Sequence, residues 1–225
     1  MSTALVAFSS GDFERWRSYV PGLWEGLQVT VKVSICAMVF ALVIGLAVAI
    51  ASQSKKKIVK VPIHIYTQFG RVIPELVQVF IWYYVLPDFG IVLSPFMAGV
   101  IAIGIAFGPF VAEVFRAGIE SVPRSQFEAA RVLGFSRTRI WVHVILPQAT
   151  KNIFPILSGY IISIFKATSL LSFISLREVF AVARNEAALN FRYFELFTIV
   201  MLIYLALAIP TSLSLKYASG RFFRW

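Results

Sequence analysis

Three polar side chains, Arg71, Glu75 and Gln78, interrupt an apolar stretch at helical spacing. On a continuous α-helix these residues share one face. Pro74 lies between them and lacks the N–H that would bond to the carbonyl of Gly70, so we expect the helix to kink or open there. Ionisable groups in such surroundings usually face a cavity or a partner. Two interpretations stay open. Either Glu75 and Gln78 contact a polar substrate, with Arg71 paired to Glu75 or near an aqueous edge, or Arg71 and Glu75 form a structural ion pair.

Lys166, Thr168 and Ser169 form a second polar group inside apolar sequence. One interpretation places Lys166 in a cavity as a positive element, with the two hydroxyls offering hydrogen bonds to a substrate. In the alternative, the lysine extends along its apolar stem toward the interface and the hydroxyls bond to carbonyls of their own helix. For Lys166 we favour the cavity, because its expected position near the middle of the apolar run leaves a long reach to either interface.

Residue types suited to catalysis or metal binding are scarce. His64 and His143 stand apart from other side chains that bind metals. No nucleophile is accompanied by a base, and the phosphate-binding pattern G-x-x-x-x-G-K-[ST] is absent from the sequence. We therefore predict no catalytic residues, no metal ligands and no cofactor in this chain.

The polar groups must be positioned by membrane-spanning helices. Of the 225 residues 59% are hydrophobic and 14% are charged, whereas about 25% are charged in an ordinary globular protein. A helix that crosses a bilayer needs roughly 20 mostly apolar residues. Five stretches meet this length, namely 33–54, about 61–87, 89–112, 152–176 and 196–215. We predict an all-α membrane protein of five transmembrane helices in one domain, 1–225.

The distribution of the 21 lysine and arginine residues sets the expected orientation. With the N-terminus outside, most of them fall on the cytoplasmic side, which is where basic residues concentrate in membrane proteins. The formal charge of +10 is then explained by topology and not by nucleic-acid binding. We predict an external N-terminal segment 1–22, a cytoplasmic loop 120–150 and a C-terminus inside.

The loop 120–150 carries signals for the ends of two helices. Ser125 and Glu128 match a capping box at the start of a short helix, and Gly134 fits the left-handed residue that follows a helix end. Ser136 is suited to begin a second helix, which we expect Pro147 to interrupt.

Two alanines distinguish the short helix of this loop. Ala129 and Ala130 leave one patch of its surface without bulk, so a partner is able to approach the backbone closely. Phe127, Val132 and Leu133 are available as apolar anchors for that partner.

The spacing Glu128-Ala129-Ala130, Gly134 and Leu146-Pro147 resembles the EAA loop of permease subunits of ATP-binding-cassette (ABC) importers. Further runs resemble motifs of the polar amino-acid permease family. Residues 116–130 resemble R-x-G-I-x-S-V-P-x-G-Q-x-E-A-A, residues 146–149 match L-P-Q-A, residues 166–170 resemble K-D-T-S-L, and residues 71–78 resemble R-G-T-P-L-L-V-Q. Together the matches span roughly residues 65–175.

The resemblance implies a permease subunit that moves polar amino acids into the cell across the bacterial plasma (inner) membrane. It implies partners: a second permease, the same or homologous, two ATP-binding subunits that hold ATP and Mg, and an external solute-binding protein. It also implies that the EAA loop, as a short cytoplasmic coupling helix, contacts the ATP-binding subunits. The coupling residues are then Glu128, Ala129, Ala130, Gly134, Leu146 and Pro147. The substrate path is assigned to Arg71, Glu75, Gln78, Lys166, Thr168 and Ser169.

Three departures from the family pattern concern the substrate. Val72 and Ile73 replace Gly-Thr, Glu75 replaces a common leucine, and Ala167 replaces the aspartate that follows the lysine. The alternatives are therefore the same machinery with another small solute, such as an amino-acid derivative or a methionine-type substrate, or a secondary transporter. The sequence does not specify which amino acid is carried, whether the two permeases are identical, or whether a substrate site lies in this chain.

Overall fold

The computed structural model describes residues 10–222, and every regular element in that range is helical. Shorter 3₁₀ and π segments join several of the α-helices. The nine α-helices are α1 Ser10–Ser52, α2 Lys57–Val72, α3 Glu75–Phe80, α4 Pro95–Glu120, α5 Arg124–Val132, α6 Arg137–Ile140, α7 Leu146–Ala167, α8 Val179–Asn190 and α9 Tyr193–Phe222.

Within residues 10–222, four helices are long and apolar enough to cross a membrane, and a fifth crossing is formed if a broken pair counts as one span. This agrees with the predicted all-α protein of five spans. The four are Trp16–Ser52, Pro95–Glu120, Arg137–Ile174 and Tyr193–Tyr217, and the broken pair is Lys57–Val72 with Glu75–Phe89. Residues 10–22 of the expected external segment belong to α1, because the helix continues without a break into the first span. Residues 1–9 of that segment lie outside the described range.

The core lies where α1, α4 and α7 pack together. Ala37 and Ala41 of α1 and Ala102 of α4 are fully buried, and such small side chains allow close approach of the helices. Gly108 takes part in this packing, since a Cβ atom there would lie 2.8 Å from Cγ2 of Ile44. The small size of the α4 glycines therefore permits close packing of the helices.

Contacts along α4 show that α7 runs antiparallel to it. Gly99 near the start of α4 lies against Leu171, whereas Gly118 near its end lies against Ile153. The bundle therefore has two distinct ends. We call the end with α5 and α6 the α5 end. The opposite end, where α4 begins and α8 lies, is the α8 end.

Gly118 provides a test of this packing. A Cβ atom at Gly118 would lie 2.8 Å from Cδ1 of Ile153 and 3.4 Å from the carbonyl oxygen of Ala149, whereas nothing lies within 4 Å of one at Gly159. Gly118→Val is therefore expected to destabilise the protein by about 1–3 kcal/mol through overpacking, and Gly159→Val by much less. Thermal unfolding of the two detergent-solubilised variants checks this, and equal melting temperatures would contradict it.

Candidate functional site

The fifth crossing is broken between Val72 and Glu75, where the two helical halves are bent by 111°. Pro74 adopts extended backbone, with φ −56° and ψ 140°, and separates α2 from α3. The predicted opening of the helix is thus present. The prediction that Arg71, Glu75 and Gln78 share one helix face is wrong, because the bend turns α3 away from α2.

Arg71 pairs with α4 and not with Glu75. Its Nη2 donates to Oε2 of Glu113 at 2.9 Å. Glu113 also binds Arg116, and Arg116 donates to Oε2 of Glu120 at 2.9 Å. These side chains are partly exposed, and such pairs are each worth about 1 kcal/mol or less. The network joins the end of α2 to α4 and does not itself leave a free charge for a ligand at Arg71.

Gln78 completes the break in the helix. Its Nε2 donates to the carbonyl oxygen of Ile73 at 3.0 Å and to that of Gly70 at 3.3 Å. Those carbonyls lose their helical partners at the proline, and polar backbone inside a membrane must be satisfied by the protein. Only 6% of Gln78 is exposed, so this residue supports the broken geometry.

Glu75 is the polar group at the break that keeps its binding capacity. It is the first residue of α3 and half-buried. Within residues 10–222 the structure gives it neither a hydrogen bond nor an ion pair, unlike Arg71 and Gln78. An unpaired carboxylate in a span is costly, and a cationic ligand would offset that cost.

The second polar group lies at the C-terminal end of α7. Thr168 Oγ1 donates to the carbonyl of Phe165 at 2.7 Å, and Ser169 Oγ donates to that of Lys166 at 2.9 Å. Both hydroxyls therefore bond to their own helix, as in the second interpretation. Lys166 is exposed and lies toward the α8 end, not at mid-span. The reason is that the span that contains it runs from Arg137 to Ile174, whereas the predicted span began at 152.

The short helix α5 has a different start from the predicted one. It begins at Arg124 after Pro123, and the residue before the helix makes no capping hydrogen bond from its side chain. Ser125 therefore lies within the first turn, and the predicted capping box with Glu128 is wrong. Pro123 immediately precedes the helix instead. Its backbone is extended, with ψ of 136°, and the helical conformation begins at the next residue.

The end of α5 matches its prediction. Gly134 has a φ of +77°, which favours glycine. The N–H of Gly134 bonds to the carbonyl of Arg131 at 3.0 Å, and that of Phe135 bonds to the carbonyl of Ala130 at 3.1 Å. This is a Schellman motif, so α5 ends where the sequence indicates.

The two alanines of α5 face different surroundings. Ala130 is buried against a cluster that includes Ile140 and Ile145, whereas Glu128 and Ala129 are exposed. The small side chain of Ala130 thus brings α5 close to its own bundle. By contrast, Val132 is 88% exposed and Leu133 74% exposed. Two large apolar side chains so exposed on a polar helix indicate a surface for a partner.

The second helix of the loop is longer than predicted. Ser136 caps its start by accepting from the N–H of Arg139 at 3.4 Å, as expected. However, Pro147 does not interrupt it. A π-helical turn, Trp141–Ile145, precedes the proline, and Gln148 Nε2 donates to the carbonyl of Val144 at 2.9 Å. The wider turn accommodates the proline ring, so α6 and α7 form one span on which Leu146 and Pro147 are exposed.

Glu178 is an important residue that sequence reasoning missed. It caps α8, with its carboxylate accepting from the N–H groups of Phe180 at 2.9 Å and Ala181 at 2.6 Å. It is 0% exposed, and burial raises its pKa to about 7. Next to it, the N–H of Val179 donates to Oγ1 of Thr30 at 3.1 Å, which joins α8 to α1. Nothing in the sequence spacing around Glu178 signalled its burial.

The predicted site residues thus separate into three regions. Arg71, Glu75 and Gln78 surround the helix break, and Lys166 with its two hydroxyl neighbours lies toward the α8 end. The coupling residues lie on α5, at Gly134 just after it, and at the first two residues of α7. A link between the first two regions runs through Phe173, whose carbonyl accepts from the hydroxyl of Tyr84 at 3.0 Å.

Comparison with known proteins identifies the family of the chain. A family model described as the binding-protein-dependent transport system inner membrane component matches residues 41–224. A probable amino-acid ABC transporter permease of Sinorhizobium fredii is 34% identical over 87% of this chain and 84% of its own. A probable glutamine ABC transporter permease of Bacillus subtilis is 33% identical over 93% of this chain and 95% of its own.

Solved structures show the same fold. A crystal structure described as an amino acid ABC transporter with histidines has a TM-score of 0.86 and 33% identity, covering 93% of this chain and 98% of that one. A methionine ABC transporter in an inward-facing conformation has a TM-score of 0.69 at 16% identity, covering 91% and 96%, and supports the fold alone. The chain therefore belongs to the family of inner-membrane components of binding-protein-dependent transport systems.

Proposed function

We propose that this chain is the permease subunit of an ABC importer that moves polar amino acids into the cell. The observation that carries the proposal is the surface of α5. A short helix with a defined end presents exposed Val132 and Leu133 at one end of a membrane bundle. Since the chain has no phosphate-binding loop of its own, ATP and Mg belong to a separate subunit that binds this surface.

A cavity beside α5 supports this coupling role. It has a volume of about 360 Å³ and is lined by Phe127, Arg131, Phe135, Arg137 and Ile140. The guanidinium of Arg139 lies 5.6 Å from the ring centroid of Phe135, so the aromatic wall is held in place. Apolar walls with an arginine rim suit an anchor side chain from an ATP-binding subunit. The α5 end is cytoplasmic in this proposal, with the N-terminus of the chain outside.

The proposed cargo follows from the relatives and from Glu75. Relatives described as amino-acid and glutamine permeases share about a third of their residues with this chain over most of its length. Glu75 provides an unpaired carboxylate for a substrate ammonium group at the break between α2 and α3. A second permease and an external binding protein complete the proposed machine.

Reconstitution tests the proposal. The chain is co-expressed with the ATP-binding subunit, the binding protein and any second permease encoded beside it, and the complex is placed in proteoliposomes. We expect uptake of a labelled polar amino acid, such as glutamine, that requires ATP, the ATP-binding subunit and the loaded binding protein. Uptake that persists without any ATPase would instead identify a secondary transporter. If the binding protein holds only methionine or a solute that is not an amino acid, the proposed cargo is wrong and that solute takes its place.

Glu75→Gln tests the substrate contact. The variant keeps the shape of the side chain and removes its charge, so an ammonium group loses a charge-assisted hydrogen bond and uptake at limiting substrate falls about tenfold. The matched control is Glu25→Gln, which removes an exposed carboxylate from α1. Uptake kinetics in the same proteoliposomes measure both. Unchanged affinity and rate for Glu75→Gln would remove this residue from the site.

A further inference from the structure

A polar cavity at the α8 end is lined by described residues other than the predicted site residues. Its volume is about 380 Å³, and its walls include Ser172, Ser175, Arg177, Arg184 and Asn185. We call it the arginine cavity. It lies between the 3₁₀ segment that follows α7, Thr168–Ile174, and the first half of α8. This end of the bundle is the one where an external binding protein releases its ligand in the proposed function.

The charge of the arginine cavity is positive. Among the described residues, two arginines line it and no carboxylate does. The carboxylate of Glu178, which is next in sequence to Arg177, is directed into the protein and bonds to backbone N–H groups of α8. Arg177 is exposed and makes no ion pair with any carboxylate of residues 10–222 that the structure gives. Its charge is therefore available to a ligand.

Arg184 is held in a fixed position by its neighbours. Its Nη2 donates to the carbonyl oxygen of Ser172 at 3.0 Å, and its guanidinium lies 5.4 Å from the ring centroid of Phe173. A guanidinium has five N–H donors, so further donors remain after this bond. Because the side chain is already ordered, a ligand would bind it at a smaller entropic cost.

The floor of the cavity contains an unsatisfied polar group. Ser172 is 3% exposed, and its hydroxyl finds no hydrogen-bond partner among the described residues. A buried hydroxyl without a partner is costly. At the rim, Ser175 has a φ of 63°, a conformation that residues other than glycine adopt rarely. Such strained residues are concentrated at functional sites.

We propose that the arginine cavity binds the α-carboxylate of the amino acid as it enters the permease from the binding protein. This inference rests on the proposed function. Arginine binds a carboxylate through two parallel hydrogen bonds, which makes it well suited to this group. The amide of Asn185, which also lines the cavity, adds further donors.

The arrangement of the neighbouring aromatic residues supports a substrate role. Phe173 forms part of the cavity wall, and its ring centroid lies 6.5 Å from that of Phe80. Phe80 ends α3, which begins with Glu75. In this proposal an amino acid that leaves the arginine cavity past Phe173 moves along α3, from Phe80 toward Glu75. The two sites match the two charged groups of an amino acid, carboxylate first and ammonium second.

The test compares Arg184→Gln with Arg17→Gln in the complete transporter. Arg17 is an exposed arginine in the N-terminal part of α1 at the same end of the bundle, so this control removes the same charge outside the cavity. Uptake of labelled glutamine into proteoliposomes is measured while the concentration of loaded binding protein is varied. We expect the maximal rate of Arg184→Gln to fall about tenfold at an unchanged half-saturating concentration of binding protein. Arg177→Gln should act in the same direction.

Two outcomes of this experiment would overturn the proposal. A raised half-saturating concentration with an unchanged maximal rate would show that the arginines dock an acidic surface of the binding protein. Kinetics equal to those of Arg17→Gln would show that the cavity has no part in uptake. If Arg184→Gln lowers the amount of folded complex, Arg184→Lys, which keeps the charge, should restore most of the rate.

A second measurement does not depend on transport. Phenylglyoxal modifies accessible arginines, and mass spectrometry gives the extent of labelling at Arg177. Acetate and glutamine are expected to protect Arg177, whereas acetamide and glutaminamide, which lack the carboxylate, are not. Equal labelling with acetate and acetamide would refute carboxylate binding. If the wild-type transporter takes up no amino acid but acetate still protects Arg177, the proposed cargo fails while the carboxylate site stands.

Discussion

Replacing Leu133 with aspartate is expected to release the ATP-binding subunits from the purified transporter. Leu133 follows α5 directly and is 74% exposed, so its side chain contributes little to the packing of its own chain. In the assembled importer we place it in an apolar contact with an ATP-binding subunit. Aspartate would put a charge into that contact without a partner, and truncation of a central anchor alone typically costs at least about 2 kcal/mol. We therefore expect affinity for the ATP-binding subunit to fall at least about thirtyfold, with loss of ATP-dependent uptake.

The measurement is retention of the ATP-binding subunit during purification through a tag on the permease. Thr138→Asp is the matched control, because Thr138 is exposed on the neighbouring α6 and receives the same charge. Unfolding temperatures of the isolated permease variants should agree with the wild type. If Leu133→Asp folds normally and still retains the ATP-binding subunit in full, the coupling role of α5 is wrong.

The stability of the protein is expected to decrease as the pH rises through neutrality, because of Glu178. Burial raises the pKa of this carboxyl from its ordinary value of 4.5 to about 7 in the folded protein. Between these values the folded state holds a proton that the unfolded state releases, so the contribution to stability is complete below pH 4.5 and is lost as the pH rises through about 7. At about 1.4 kcal/mol per pKa unit, the full loss amounts to roughly 3 kcal/mol.

Glu178→Gln separates this effect from other titrations. Glutamine keeps an acceptor for the N–H groups at the start of α8 but has no proton to lose. Thermal unfolding in detergent from about pH 5 to about pH 8 should show a decline for the wild type that is largely absent in Glu178→Gln. Glu186→Gln, a change of a less buried carboxylate on the same helix, should keep the decline. An identical pH profile for wild type and Glu178→Gln would show that another group is responsible.

Local signals in the sequence predicted several features correctly because their causes are local. The length of the apolar stretches predicted the spans, since a bilayer imposes the same length on each helix. Pro74 predicted the broken crossing because its missing N–H acts within one turn. Gly134 predicted the end of α5 because the left-handed backbone conformation that follows the helix is unfavourable for most residues other than glycine. Ser125 shows the limit of such signals, since α5 begins at Arg124 after Pro123, two residues earlier than a capping box at Ser125 would place it.

The sequence did not predict which side chains pair across helices that are distant in the chain. Helical spacing suggested Glu75 as the partner of Arg71, but the 111° bend carries α3 away and α4 supplies Glu113 instead. Gln78 was assigned to a substrate contact, whereas the structure shows it bonding to the carbonyls at the break. Ala130 was expected to face a partner and instead packs on its own bundle. Each outcome depends on which helix lies beside which.

By itself, the sequence determined a helical membrane protein with a broken crossing and a short polar helix of defined end, together with its resemblance to importer permeases. These properties follow from apolar length, proline, glycine and motif spacing, all of which act over one or a few turns. Only the tertiary structure decided that Glu75 has no partner among residues 10–222, that Glu178 is buried, and that Arg177 and Arg184 share a cavity. Burial and charge pairing depend on the approach of helices far apart in the chain, which no local spacing specifies.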